Sequence, residues 1–181
     1  MKISLKRLTE NELELLMNWR MRDDVNRFMT TSPKLTLEGQ HKWFEKLKND
    51  NTQIRWIIWA DDIPIGSMYL TDIDYNNQRC SGPGWFIVEK QYISLKQTID
   101  LHRNCCGFVF DVLKLNRIYG DIMSENKGVI QLVKLCGFEV EGQLKQHVIK
   151  DGIPMDITLV GLTKEQWENK KLSYEKIDIE Y

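Results

Sequence analysis

The stretch from Leu115 to Leu162 constrains the fold more than any other part of this chain. Leu115-Asn116-Arg117-Ile118 leads into a run of branched and aromatic residues that reads as a strand over Arg117 to Met123. Gly120 in its middle predicts a bulge or a close backbone approach. Asn126 then offers an N-cap for a helix over Asn126 to Leu135, closed by Lys134-Leu135-Cys136-Gly137-Phe138. Past Glu141-Gly142, Gln146 to Ile149 and Met155 to Val160 face each other across Lys150-Asp151-Gly152-Ile153, a strong hairpin signal. Strand, helix and closing hairpin in this order call for a mixed sheet flanked by helices.

The preceding residues extend that plan. Ile3 to Leu8 alternates as a first strand, and Glu10 to Arg20 carries Leu13, Leu16, Met17 and Trp19 at helical spacing. After a polar connection, Thr36 to Asn49 reads as a second helix with Trp43, Phe44 and Leu47 on its apolar face. Arg55 to Ala60 and Ile65 to Ile73 form a hairpin turning at Asp61-Asp62. Trp85-Phe86-Ile87-Val88 is a short apolar strand, and Gly82-Pro83-Gly84 before it reads as a turn. Ser94 to Leu113 is a long helix with Leu95, Ile99, Cys106, Val109, Phe110 and Leu113 on one side, opened by the capping box Ser94-Leu95-Lys96-Gln97. The expected fold is α/β in the α+β sense: one domain over residues 1–181, with a mostly antiparallel central sheet and flanking helices.

Composition narrows the function classes. A chain of 181 residues builds one substantial core rather than two. Its 25 basic and 26 acidic residues lack the bias that nucleic-acid binding usually needs. Met1 to Arg7 contains no run fit for a signal peptide, and no stretch approaches the roughly 18 apolar residues of a membrane span. A cytoplasmic location is therefore expected. Cys80, Cys105, Cys106 and Cys136 contain no C-x-x-C pair, so reduced buried thiols are expected and no metal site is.

The order of elements from Leu115 onward resembles the GCN5-related N-acetyltransferases. Asn18-Trp19-Arg20, Asp24-Val25-Asn26-Arg27-Phe28-Met29 and His41-Lys42-Trp43-Phe44 resemble the acceptor-binding part of one branch, the amino-sugar N-acetyltransferases of the pseudaminic-acid pathway. Glu141 to Lys145, Lys150-Asp151-Gly152 and Met155-Asp156 resemble the shared closing hairpin. The ribosomal-protein N-terminal acetyltransferases are a broader cousin. The resemblance implies transfer of an acetyl group from acetyl-coenzyme A to a small amine, most simply the 4-amino group of a nucleotide-linked amino-deoxysugar. It also implies splayed strands at the cofactor site and a homodimer as the candidate assembly.

The resemblance implies roles for particular residues. Phe86, Ile87 and Val88 would form the strand edge that pairs with the pantetheine arm. Ser94, Lys96, Gln97 and Thr98 would meet the pyrophosphate at a helix N-terminus, where amides and dipole favour anions. Asn126 would contact the arm or orient the acceptor, although capping alone also explains it. Trp19, Arg20, Arg27, Met29, His41 and Trp43 would form the acceptor pocket, with Arg20 or Arg27 facing a diphosphate. His41, with an ordinary pKa of about 6.5, would also remove a proton, while a structural histidine remains the plainer reading. His102 within the long helix reads as surface or packing.

Two positions depart from the family pattern. The phosphate loop is commonly glycine-rich, yet no glycine lies between Val88 and Cys106, and Ser94, Lys96 or Thr98 stand in place of glycines. Ser94 is also suited to cap the amides that a phosphate would otherwise take. Many relatives carry a proton-donating tyrosine where Val133 stands here. Acetylation of a protein N-terminus, or a binding domain that kept the fold without catalysis, are the alternative readings.

Overall fold

A computed structural model describes residues 1–181. Its centre is an eight-stranded sheet in the order β6-β7-β5-β4-β3-β2-β1-β8. The strands are β1 (Ile3–Arg7), β2 (Ile54–Ala60), β3 (Ile63–Asp74), β4 (Arg79–Ile87), β5 (Arg117–Met123), β6 (Glu139–Lys150), β7 (Ile153–Thr163) and β8 (Asp178–Ile179). The helices are α1 (Leu13–Arg20), α2 (Asp23–Asn26), α3 (Leu37–Leu47), α4 (Leu95–Gly107), α5 (Lys127–Leu135) and α6 (Lys164–Lys170). Only the β4–β5 and β1–β8 pairs are parallel, so the sheet is mixed and mostly antiparallel, as expected.

Strand alternation divides the apolar residues between two layers. Trp56 and Ile58 of β2 join a core beneath α4 and α5 that includes Leu101, Cys105, Val109, Leu132 and Phe138. Ile57 points the other way, into a smaller core of Leu13, Leu16, Trp19, Phe44 and Leu47 under α1 and α3. β4 and the residue that follows it split likewise, with Phe86 and Val88 on the α1–α3 side and Trp85 and Ile87 against the α4–α5 side. Each large side chain fully withdrawn from water, such as Trp56 or Ile58, stabilises the fold by about 1.5–3 kcal/mol. No helix is long and apolar enough to cross a membrane.

Local chemistry sets the element ends. The Thr36 hydroxyl accepts from the Gly39 N–H at the start of α3, and capping boxes open α4 (Ser94 and Gln97) and α6 (Thr163 and Gln166). Asp151 and Gly152 both hold positive φ, 50° and 79°, the geometry of a tight hairpin turn whose twist matches its strands.

Several boundaries differ from the sequence reading. β4 starts at Arg79 rather than Trp85, because Gly82-Pro83-Gly84 lies within the strand as an irregular segment rather than before it as a turn. The closing hairpin is longer on both arms and reaches back to Glu139 and on to Thr163. The long helix stops at Gly107 and continues as a wider π turn over Phe108–Val112. α2, α6 and β8 were not expected; each is short and too weakly periodic to register.

Pairing between β4 and β5 makes the feature that matters for function. The two strands are joined only at Arg79↔Arg117, Cys80↔Ile118 and Ser81↔Tyr119. Beyond Ser81, β4 stays paired with β3 as far as Gly66↔Ile87, and β5 stays paired with β7 as far as Met123↔Ile157. Each strand therefore follows its own half of the sheet, and the two diverge. The residues at the parting explain it. Gly82 has φ +126°, which few side chains tolerate, and Pro83 has no N–H to offer a partner strand.

Candidate active site

The parting strands enclose a cleft of about 470 Å³ that passes through the sheet. Gly84, Trp85, Phe86 and Ile87 of β4 form one wall, and Gly120, Asp121, Ile122 and Met123 of β5 form the other. On the α4–α5 face the lining is apolar: Val129 and Val133 of α5, Phe138 and Val160, joined by His102 of α4. On the opposite face it includes Asp24, Val25, Phe28 and Met29 around α2, with Tyr69 and Asp72 of β3. The hairpin tip closes over this end, where the Lys150 ammonium donates to the Asn26 carbonyl and, at 3.1 Å, to that of Arg27.

Of the sequence-derived site residues, four line the cleft: Phe86, Ile87, Met29 and Asn126. The Asn126 side-chain oxygen also accepts from the Val129 N–H at 3.4 Å, so capping and lining coexist. Val88 does not join them. It is buried in the α1–α3 core, and its N–H donates to the Ile65 carbonyl at 2.8 Å.

Ser94, Lys96, Gln97 and Thr98 lie outside the lining. The Ser94 hydroxyl accepts from the Gln97 N–H at 3.2 Å, while the Gln97 side-chain oxygen accepts from the Ser94 N–H at 3.0 Å. The Gln97 amide donates to the Met1 carbonyl, the Thr98 hydroxyl donates to the Ser94 carbonyl, and Lys96 pairs with Asp100 at 2.6 Å. Without glycine, the first turn of α4 closes on its own side chains and leaves fewer amides for an anion. Lys90 is the cation that does line the cleft.

The acceptor residues fall into three environments. Trp19 is buried, with its ring edge-on to Phe86 at 6.3 Å, so it supports the β4 wall from behind. Arg20 donates to the Asn26 side-chain oxygen at 2.7 Å, and Trp43 lies 5.2 Å from the Arg55 guanidinium. Arg55 in turn sits 4.7 Å over the ring of Tyr69, a cleft residue. Burial holds both Arg20 and Arg55 below the usual guanidinium pKa, and in Arg55 the charge of Arg20 adds to the effect. Arg27 is exposed and stacks on Phe28. His41 lies on α3 outside the lining, with Nδ1 3.0 Å from a Glu10 carboxylate oxygen.

Sequence reasoning missed several of the lining residues. Tyr69 looks like an ordinary strand aromatic. Asp121 left a signal as the one carboxylate of β5, and Asp72 lies near the end of β3. Both lie close enough to Tyr119 to add to the burial that raises its phenol pKa.

The arrangement suits a particular chemistry. The edge of β4 that leaves β5 presents main-chain groups to an extended arm, much as an added strand would find them. Apolar walls exclude water from a reacting carbonyl. Asp24, Asp72 and Asp121 are the carboxylates of the lining, groups able to attract an incoming ammonium and take its proton.

A model of the acetyltransferase (GNAT) domain matches residues 2–139. A spermidine N(1)-acetyltransferase of Vibrio cholerae is 21% identical over 169 residues, spanning 93% of this chain and 96% of that protein. The acetyltransferase PseH of Campylobacter jejuni is 25% identical over 141 residues, spanning 76% and 85%. Among solved structures, Vibrio cholerae spermidine N-acetyltransferase in complex with CoA and spermine superposes with a TM-score of 0.84. That match has 20% identity and covers 93% of this chain and 99% of the other.

Proposed function

Because the chain belongs to the GNAT acetyltransferase family and uses acetyl-CoA to acetylate an amine, we propose that its acceptor is a small primary amine that also carries negative charge. The 4-amino group of a nucleotide-linked amino-deoxysugar is the class that fits. The observation that carries this reading is the pair Arg20 and Arg55 behind Tyr69. Both are partly buried, the charge of Arg20 helps to lower the Arg55 pKa, and their hydrogen-bond partners are neutral amides, Asn26 and Gln53. Neither forms a salt bridge, and Asp50 is the carboxylate whose charge reaches Arg55, so two such cations are costly to bury, and a diphosphate offsets that cost through paired, charge-assisted hydrogen bonds.

Acetyl-CoA supplies the activated acetyl group, and this chain supplies placement and proton handling. The β4 edge and the apolar walls orient the thioester-bearing arm. Tyr69 and the α2 segment with Met29 hold the acceptor at the opposite face. A primary amine of the α-amino type, with pKa about 7.7–8, is already partly neutral near pH 7. Asp121 or Asp72, directly or through water, then takes the remaining proton. Positioning in a ternary complex supplies most of the acceleration.

A second reading has its own observation. Asp24, Asp72 and Asp121 all line the cleft, and a polyamine would find three carboxylates there, in keeping with the names of the Vibrio cholerae relatives. Acetyl transfer to nucleotide-linked amino sugars, spermidine, spermine and short peptides separates these readings. The expected result is transfer to the sugars, with Arg55→Met raising KM for the sugar about tenfold or more. Turnover of spermidine with no activity on any anionic amine would refute it.

A further inference from the structure

His102 occupies an unusual position. It is 1% exposed, lies mid-helix in α4, and neither ring nitrogen has a hydrogen-bond partner. It nonetheless belongs to the cleft lining, on the same face as Val133 and Phe138, and its ring meets that of Phe138 at 5.6 Å. Leucine would fill such a site without leaving a buried donor and acceptor unmatched, and a buried unmatched polar group in a native protein calls for an explanation. No protein group supplies one.

We propose that His102 hydrogen-bonds to the thioester-bearing arm of acetyl-CoA when that arm seats between β4 and β5 and opens the packing that seals both ring nitrogens, which makes it a binding and orienting residue of the cofactor half of the site. Three observations support the assignment to the arm rather than to the acceptor. His102 enters from the α4–α5 face, whereas Arg20, Arg55 and the α2 segment meet the cleft from the other. Its neighbours Val133, Val129 and Phe138 have no side-chain donor, so the imidazole joins the Asn126 amide, at the start of α5, as a polar side chain of that wall. The arm carries amides and a thioester, groups that match a neutral imidazole, which donates through one nitrogen and accepts through the other. Burial keeps the ring neutral by pushing its pKa down to about 4. The position of Val133 adds a reason for the role, since a valine can hydrogen-bond to nothing.

The inference rests on the cleft being the acetyl-CoA site, and the test separates the two. Calorimetric binding of acetyl-CoA to the wild-type protein, His102→Leu and His102→Gln is compared with the melting temperature of each ligand-free protein. His102→Leu removes two unmatched groups, so it should melt at or above the wild-type temperature yet bind acetyl-CoA about tenfold more weakly. His102→Gln keeps a donor and an acceptor and should recover most of that loss. In parallel, 15N spectra of the wild-type imidazoles, with the His102 signals assigned by their absence from His102→Gln, should shift on adding CoA. Wild-type affinity in His102→Leu, or His102 signals indifferent to CoA, would overturn the proposal while leaving the site intact. Failure of the wild-type protein to bind acetyl-CoA would overturn both.

Discussion

Gly66→Ala tests whether β3 and β4 are as tightly joined behind the cleft as the structure indicates. A Cβ on Gly66 would lie 2.2 Å from the Phe86 carbonyl oxygen and 3.0 Å from the Ile87 Cα. Both are main-chain atoms, so no side chain can swing aside. The strands must part by about 1 Å to restore ordinary contact. That movement breaks the Val88 N–H to Ile65 carbonyl bond, now 2.8 Å, and strains the longer Glu89 bond to the same oxygen. Two main-chain hydrogen bonds at about 1 kcal/mol each, with overpacking strain of about 1–3 kcal/mol, give a loss of about 3–5 kcal/mol. For a chain of this size that lowers the melting temperature by about 6–20 °C. Urea and thermal unfolding followed by tryptophan fluorescence measure it. Gly128→Ala is the control, because nothing lies within 4 Å of its added Cβ and alanine is the better helix former. Since Phe86 and Ile87 are also the cleft wall, the variant should bind acetyl-CoA less well. Melting within about 2 °C of the parent would refute the close approach and its link to the site.

Three further outcomes are expected. Burial pushes the Cys80 and Cys136 thiols up to about 12 and raises Cys105 and Cys106 well above the usual value, so a thiol reagent at pH 8 should label the native protein slowly and all four cysteines rapidly in denaturant. Prompt labelling of the native state would contradict the core described above. The unfolded His102 takes a proton at about 6.5 and the folded one only near 4. The stability present above pH 6.5 is therefore lost as pH falls through that window, by about 2 kcal/mol at pH 5. Urea midpoints should show this drop in the wild-type protein and a smaller one in His102→Leu; parallel curves would argue against a buried neutral imidazole. His41→Ala should leave kcat/KM within about twofold, because the side chain faces Glu10 rather than the cleft; a hundredfold loss would return it to the reaction.

Much of the framework was legible because periodicity and turn chemistry are local signals. The hairpin at Asp151-Gly152, the capping box at Ser94 and the alternation of β2 all reflect rules that act over a few residues. Where the reading failed, a distant partner decides the outcome. Gly82-Pro83-Gly84 has the composition of a turn, and only pairing with β3 holds it in a strand. His102 falls on the apolar stripe of Ile99, Cys106 and Val109, so its inward orientation was available from spacing; the absence of any partner was not. Arg20 and Trp43 were singled out together, yet Arg55, which stacks between Trp43 and Tyr69, had no local mark to set it apart from other strand residues. The glycine-poor turn shows the converse. Its capacity to satisfy itself was visible in Ser94, and the geometry extends this to Gln97, Thr98 and Lys96.

The three paired positions joining β4 to β5 also have a mechanical consequence. The ladders on either side, β3–β4 and β5–β7, are long and antiparallel, so a thinly paired seam divides the middle of the sheet and runs through the cleft. Small rotations of one half against the other widen or narrow the gap at the cost of few main-chain bonds, within the limits set by the core beneath α4 and α5, which spans both halves. A long flexible carrier can thus enter and leave without any loop having to unfold. Once seated, main-chain bonds to the carrier stitch the halves together, and the protein should be stiffest when it is poised to react.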